Sequence, residues 1–159
     1  MKITSKSIAR SALIAALYVV MTLPLGSLAT QPFFQIRPGE ALTILPLIMP
    51  SAIVGLSIGC FIVNLVSSSI IDALLGTTIT LLACLITRLL KNVWLGGIPP
   101  VIFNAFGLPL MFMLLGYDTA YWYTFMQILL SQTVWVYALG VPLYYLIKKL
   151  QVKNPKLFE

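Results

Sequence analysis

Ile8-Ala9-Arg10-Ser11-Ala12-Leu13-Ile14-Ala15-Ala16-Leu17-Tyr18-Val19-Val20-Met21-Thr22-Leu23-Pro24-Leu25 carries one charge, near its start, with Lys2 and Lys6 just before it. A membrane crossing needs about 20 predominantly apolar residues, and this run supplies them. It is longer than a signal-peptide core and no convincing cleavage site follows, so it is expected to stay as a span. Composition extends that reading to the whole chain. Of its 159 residues 60% are apolar and 9% charged, where soluble domains carry roughly 25% charged residues. Water cannot be the solvent for this much apolar surface.

Working outward from the first run, five further apolar stretches follow. The sequence predicts an all-α integral membrane protein, a compact bundle of six transmembrane helices over about 7–28, 39–49, 52–66, 71–91, 99–115 and 119–148, as a single domain spanning 1–159. Pro50 and Ser51 make a tight turn, Ser67, Ser68 and Ser69 break the chain between two spans, and Pro99 and Pro100 suit a first helical turn, where a missing N–H costs little. Residues 92–97 and Gly116, Tyr117 and Asp118 form loops, and the tail 151–159 is polar and frayed. Threaded with the N-terminus inside, the chain places Lys2, Lys6, Arg10, Arg88, Lys91, Lys148, Lys149, Lys153 and Lys156 at one face, leaving Arg37 as the exception among its ten basic residues. That asymmetry predicts both termini in the cytoplasm. The opposite half then holds Arg37, Glu40, Asp72 and Asp118. The net charge of +6 is explained by helix ends beside anionic lipid headgroups, and no nucleic-acid partner is expected.

Several chemistries are excluded. The chain has no histidine, so neither a histidine-containing zinc site nor a Ser-His-Asp or Cys-His catalytic unit is available. Cys60 and Cys84 lie inside apolar stretches and form no disulfide framework. We expect no catalytic residues, metal or cofactor. Polar residues clustered in one half suit a site open on one side rather than a continuous pore, which needs polar lining throughout.

Ionisable groups at membrane depth cost roughly 2.5–3.5 kcal/mol each, so each needs a reason. Asp72 opens a helix and either complements its dipole or meets a ligand. Glu40 either pairs with Arg37, three residues earlier, or faces a pocket. Asn64 and Asn104 either join helices or offer amides to a ligand. Tyr123, Gln127, Ser131 and Trp135 recur at intervals of four and form one polar-aromatic face. Ser51, Gly55 and Gly59 allow close helix packing. Ala12 with Ala16, and Ser11 with Ala15, leave the first helix smooth, for internal packing or as a docking strip for another membrane protein.

Gln35-Ile36-Arg37-Pro38-Gly39-Glu40-Ala41-Leu42, Asn64-Leu65, Asp72 with Gly76 and Thr77, and Pro99-Pro100-Val101-Ile102-Phe103-Asn104-Ala105 together resemble the substrate-binding S components of energy-coupling factor (ECF) transporters. Within that group they look most like the QueT family, proposed to take up queuosine precursors. The resemblance spans about residues 5–150. Pro38-Gly39 departs from the branched apolar residue and serine expected between Arg37 and Glu40. The resemblance implies a non-enzymatic subunit of the bacterial plasma membrane that captures a deazaguanine outside. It would dock through helix 1, with Ala12 and Ala16 matching the alanine motif and Ser11 and Ala15 supporting it. The partners would be a transmembrane coupling subunit and two cytoplasmic ATPases. For a guanine-like ligand, Glu40 or Asp72 would grip the adjacent N–H donors. Asn104 or Gln127 would meet the carbonyl, Trp135 or Phe34 would wall the ring, and Arg37 would hold Glu40 or close the loop. An S component for another vitamin, or a scaffold that binds no small molecule, are the alternatives.

Overall fold

The computed structural model describes residues 4–32 and 34–153, which are helical with short connections and contain no strand. Lys2 and Lys156, both assigned to the basic face, and residues 154–159 of the tail lie outside the described residues.

Helix α1 (Ser5–Thr22) starts where the Thr4 hydroxyl accepts a hydrogen bond from the Ser7 amide at 3.2 Å, a side-chain N-cap. It ends earlier than the expected residue 28. Pro24 has no N–H to give, and the chain tightens into a 3₁₀ turn at Leu23–Leu25 before Gly26 reverses it at φ 53°. The single helical turn α2 (Ser27–Thr30) follows in what was expected to be loop from residue 29 on.

The second expected span is not an α-helix. Pro38–Leu47 is a ten-residue 3₁₀ helix, buried from Gly39 to Pro46. At about 2.0 Å per residue it reaches about 20 Å, against about 15 Å for an α-helix of equal length. Pro46 removes a donor that an α-helix would use. The lower end is capped by Arg88, whose Nη1 donates to the carbonyls of Pro46 at 3.2 Å and Leu47 at 3.1 Å. Arg88, expected only as a charge at the basic face, therefore also satisfies helix-end carbonyls.

Helix α3 (Ser51–Ser67) gives way at the expected serines to α4 (Ile70–Leu89). Ser69 caps α4 by accepting from the Asp72 amide at 3.1 Å. The short helix α5 (Val93–Gly96) occupies the expected loop at 92–97, capped by Asn92 onto the Trp94 amide at 2.8 Å. Helix α6 (Ile98–Leu114) carries Pro99 and Pro100 in its first turn. Gly116, at φ 80°, turns the chain toward α7 (Tyr121–Thr133). The final helical rod continues as a π segment, Val134–Gly140, and then α8 (Val141–Lys153). Pro142 explains the widening: a proline clashes with the preceding turn of an α-helix, and an i→i+5 bulge makes room for it.

Helix α1 packs along α3, α3 along α4, α4 along α6 and α6 along α7. The 3₁₀ helix runs through the middle, touching α1, α4 and the π segment. Close approach rests on glycine. A Cβ on Gly55 would stand 2.6 Å from the Ser11 carbonyl oxygen, and one on Gly59 would stand 2.8 Å from Tyr18 Cβ. Leu42, Ile44 and Leu45 join Ile14, Tyr18, Leu56 and Val63 in the main core. Around it Leu13, Val20, Ile58, Leu74, Leu82 and Leu110 are exposed, an apolar outer surface that suits lipid. Among the described residues Ser5–Leu25, Ile70–Leu89, Val93–Leu114 and Tyr121–Lys153 are long and apolar enough to cross a membrane, and Ser51–Ser67 is a shorter apolar helix. This is the surface of a membrane-embedded bundle.

Candidate functional site

Four of the sequence-predicted residues meet in one buried network. Arg37, at the N-cap of the 3₁₀ helix, is 3% exposed. Its Nη2 donates to Asn64 Oδ1 on α3 at 3.0 Å and to the Tyr18 hydroxyl on α1 at 3.1 Å. Its Nε lies 3.7 Å from Glu40 Oε1, an ion pair. The Tyr18 hydroxyl in turn donates to Glu40 Oε1 at 2.7 Å. Asn64 Nδ2 reaches the Asp72 carbonyl at 3.5 Å, and Gly76 makes that possible, because a Cβ there would stand 2.6 Å from Asn64 Nδ2. The Ser68 hydroxyl donates to Asp72 Oδ2.

The network is incompletely satisfied. Glu40 Oε2 and Asp72 Oδ1 are buried without a hydrogen-bond partner, as is Gln35 Oε1. Buried polar atoms are normally paired, and an unpaired one costs about 1–3 kcal/mol. The space bounded by Gln35, Arg37, Asn64, Asp72, Leu108 and Met111 is about 10 Å³, room for about one water. Arg37 is one of the residues that line this space.

The remaining predicted residues divide. Asn104 is buried on α6 and makes no side-chain hydrogen bond to another described residue. Phe106 packs on Phe125 with ring centroids 4.7 Å apart, and the Tyr121 hydroxyl donates to the Phe106 carbonyl at 3.3 Å, so α6 and α7 lie side by side here. Gln127 Oε1 and Trp135 Nε1 are buried and unpartnered, although both residues are only half-buried. Tyr123 is 61% exposed and Phe34 is 42% exposed, so neither enters the network. The expected four-residue stripe on the last helix therefore splits: Ser131 turns fully inward, and the π segment shifts what lies below it.

The first helix also divides. Ser11 and Ala15 are buried against α3, with the Ser11 hydroxyl donating to the Ser51 carbonyl at 2.9 Å. Ala12 and Ala16 are exposed. They floor an open apolar groove of about 660 Å³ walled by Val19 and by Val54, Ile58 and Ile62 of α3.

Sequence reasoning missed Tyr18, Gln35 and Gln132 as members of the polar interior. Tyr18 was findable, since Ser11, Ala15, Tyr18 and Thr22 form one buried stripe at spacings of four, three and four. Gln132 sits on the stripe beside the one chosen, in line with Thr124 and Ile128.

Residues 8–149 match the family model described as QueT transporter. No curated protein and no solved structure matches the chain.

Proposed function

The chain belongs to the QueT transporter family, and on that premise we propose that it is the S component of an ECF-type importer, capturing a queuosine precursor at the outer face of a bacterial plasma membrane. Glu40 carries this reading. It is 1% exposed, with one oxygen held by Tyr18 and Arg37 and the other unpartnered. A carboxylate poised in this way suits a ligand edge with two adjacent N–H donors, as in a 7-deazaguanine, which it grips in a bidentate fashion. Asp72 Oδ1 is the second acceptor, available to the ligand's ammonium. Asn104 and Gln127, on the neighbouring helices α6 and α7, supply amide donors for a ring carbonyl, and Trp135 supplies a flat wall. Phe34, at the loop surface, closes over the ligand.

Entry requires the Arg37 side chain to leave Asn64, since the space as it stands holds about one water. A cationic ligand favours that exchange, because its ammonium brings a positive charge into a site that holds two buried carboxylates.

The bundle crosses six times, with the 3₁₀ helix as the second crossing and both termini in the cytoplasm. The exposed groove at Ala12 and Ala16 receives a transmembrane coupling subunit, while Ser11 and Ala15 hold its floor to α3. Two cytoplasmic ATPases supply the energy, and this chain performs no chemistry. Titration calorimetry of the purified protein with 7-aminomethyl-7-deazaguanine tests the reading. Saturable binding is expected, and its absence overturns the assignment.

A further inference from the structure

Resting on the reading of this region as a ligand site, we infer that Gln132 recognises the ligand edge on which a ring carbonyl stands beside a cationic aminomethyl group. Gln132 is completely buried on α7, and neither its Nε2 nor its Oε1 has a hydrogen-bond partner. A carboxamide is not left this way without cost in an apolar bundle. Two contacts fix its surroundings. The Ser131 hydroxyl donates to the Gln35 carbonyl, and nine residues later Gly140 lies so close to Ala41 that a Cβ would stand 2.8 Å from the Ala41 carbonyl oxygen. Between those contacts α7 and the π segment run alongside residues 35–41, which places Gln132 at the level of Gln35 to Arg37.

Gln35 supports the same chemistry from the facing loop. Its Nε2 donates to the Gln31 carbonyl at 3.1 Å, which orients the amide. Its Oε1 is a buried, unpartnered acceptor beside the small cavity.

A carboxamide offers a donor and an acceptor side by side. On a 7-aminomethyl-7-deazaguanine the 6-oxo group and the aminomethyl ammonium are neighbours, an acceptor next to a donor. Gln132 Nε2 donates to the oxo group, and the carboxamide oxygens of Gln132 and Gln35 accept from the ammonium. That edge adjoins the N–H pair assigned to Glu40, so the two residues hold neighbouring sides of the ring. No bond is made or broken.

The test compares 7-aminomethyl-7-deazaguanine with plain 7-deazaguanine on the full chain in detergent, by calorimetry, and reads the ratio of the two dissociation constants. Gln132→Met is expected to weaken the aminomethyl compound at least tenfold and to shrink its advantage over 7-deazaguanine. Gln132→Glu, nearly isosteric and negative, is expected to widen that advantage, and serves if the methionine variant does not fold. A residue that merely packs would weaken both compounds by the same factor. An unchanged ratio in both variants overturns the inference while leaving the transport reading intact. Wild-type protein that binds neither compound overturns both.

Discussion

The Tyr18 hydroxyl stands between Arg37 and Glu40, accepting from the guanidinium at 3.1 Å and donating to the carboxylate at 2.7 Å. The direct ion pair is longer, 3.7 Å, so the phenol carries the short links. One hydroxyl thus ties α1 to the charged end of the 3₁₀ helix. Tyr18→Phe keeps the ring in the core and deletes both hydrogen bonds, leaving Glu40 Oε1 with only the longer ion pair. We expect a loss of about 1–3 kcal/mol of stability, read as a lowered unfolding temperature in detergent. An unchanged temperature would show that the bridge contributes nothing.

Glu40→Gln keeps the size of the side chain and removes its charge and an acceptor. Affinity for 7-aminomethyl-7-deazaguanine should fall at least tenfold, about 1.4 kcal/mol, measured by calorimetry. Equal affinity in the variant removes Glu40 from the ligand site.

Arg37→Met leaves a buried carboxylate without its cation. Breaking a buried pair by removing one partner costs about 3–5 kcal/mol, more than the tyrosine variant. Chemical denaturation of the two variants side by side checks the order, and equal losses would argue that Tyr18 alone holds the network.

Ala16→Trp fills the exposed groove at the face of α1 and leaves the interior alone. Uptake by cells should be abolished while ligand binding by the purified protein is unchanged. Normal uptake would rule out docking at this face. Ala15→Trp, one residue away and buried against α3, should instead fail in folding.

Gly55→Ala forces a methyl against the Ser11 carbonyl oxygen, which is backbone and cannot swing aside. Overpacking of this kind costs about 1–3 kcal/mol, and thermal unfolding in detergent measures it. A neutral outcome would mean that α1 and α3 separate more easily than their packing indicates.

Much of this was legible in the sequence because lipid simplifies the code. Gly55 and Gly59 announced a close helix contact, and they make one with α1. The triple serine announced a break, and the chain breaks there; Pro24, read as lying inside a span to residue 28, instead falls in the turn that ends the first helix. Arg37, Glu40, Asn64 and Asp72 stood out because charge and amide at depth are expensive, and they meet in one network. Side-chain direction on the last helix was harder to read. A stripe at intervals of four chose Tyr123 and passed over Gln132, because the buried face of α7 runs along the neighbouring stripe of Thr124, Ile128 and Gln132. The two small-residue pairs of α1 looked alike in sequence, yet Ser11 and Ala15 are buried while Ala12 and Ala16 are exposed. Only the position of α3 separates them.

The 3₁₀ winding of Pro38–Leu47 sets a limit on how the gene can drift. With three residues per turn, side chains three apart stand in line, so Glu40, Thr43 and Pro46 form a single column. Losing or gaining one codon there would swing everything beyond it by about 120° and change the reach by about 2 Å, taking the carboxylate away from its phenol. The last helix already accommodates a surplus residue in its wide turn, and one deletion there would restore ordinary winding. Length changes should therefore be tolerated at residues 134–140 and purged at residues 38–47.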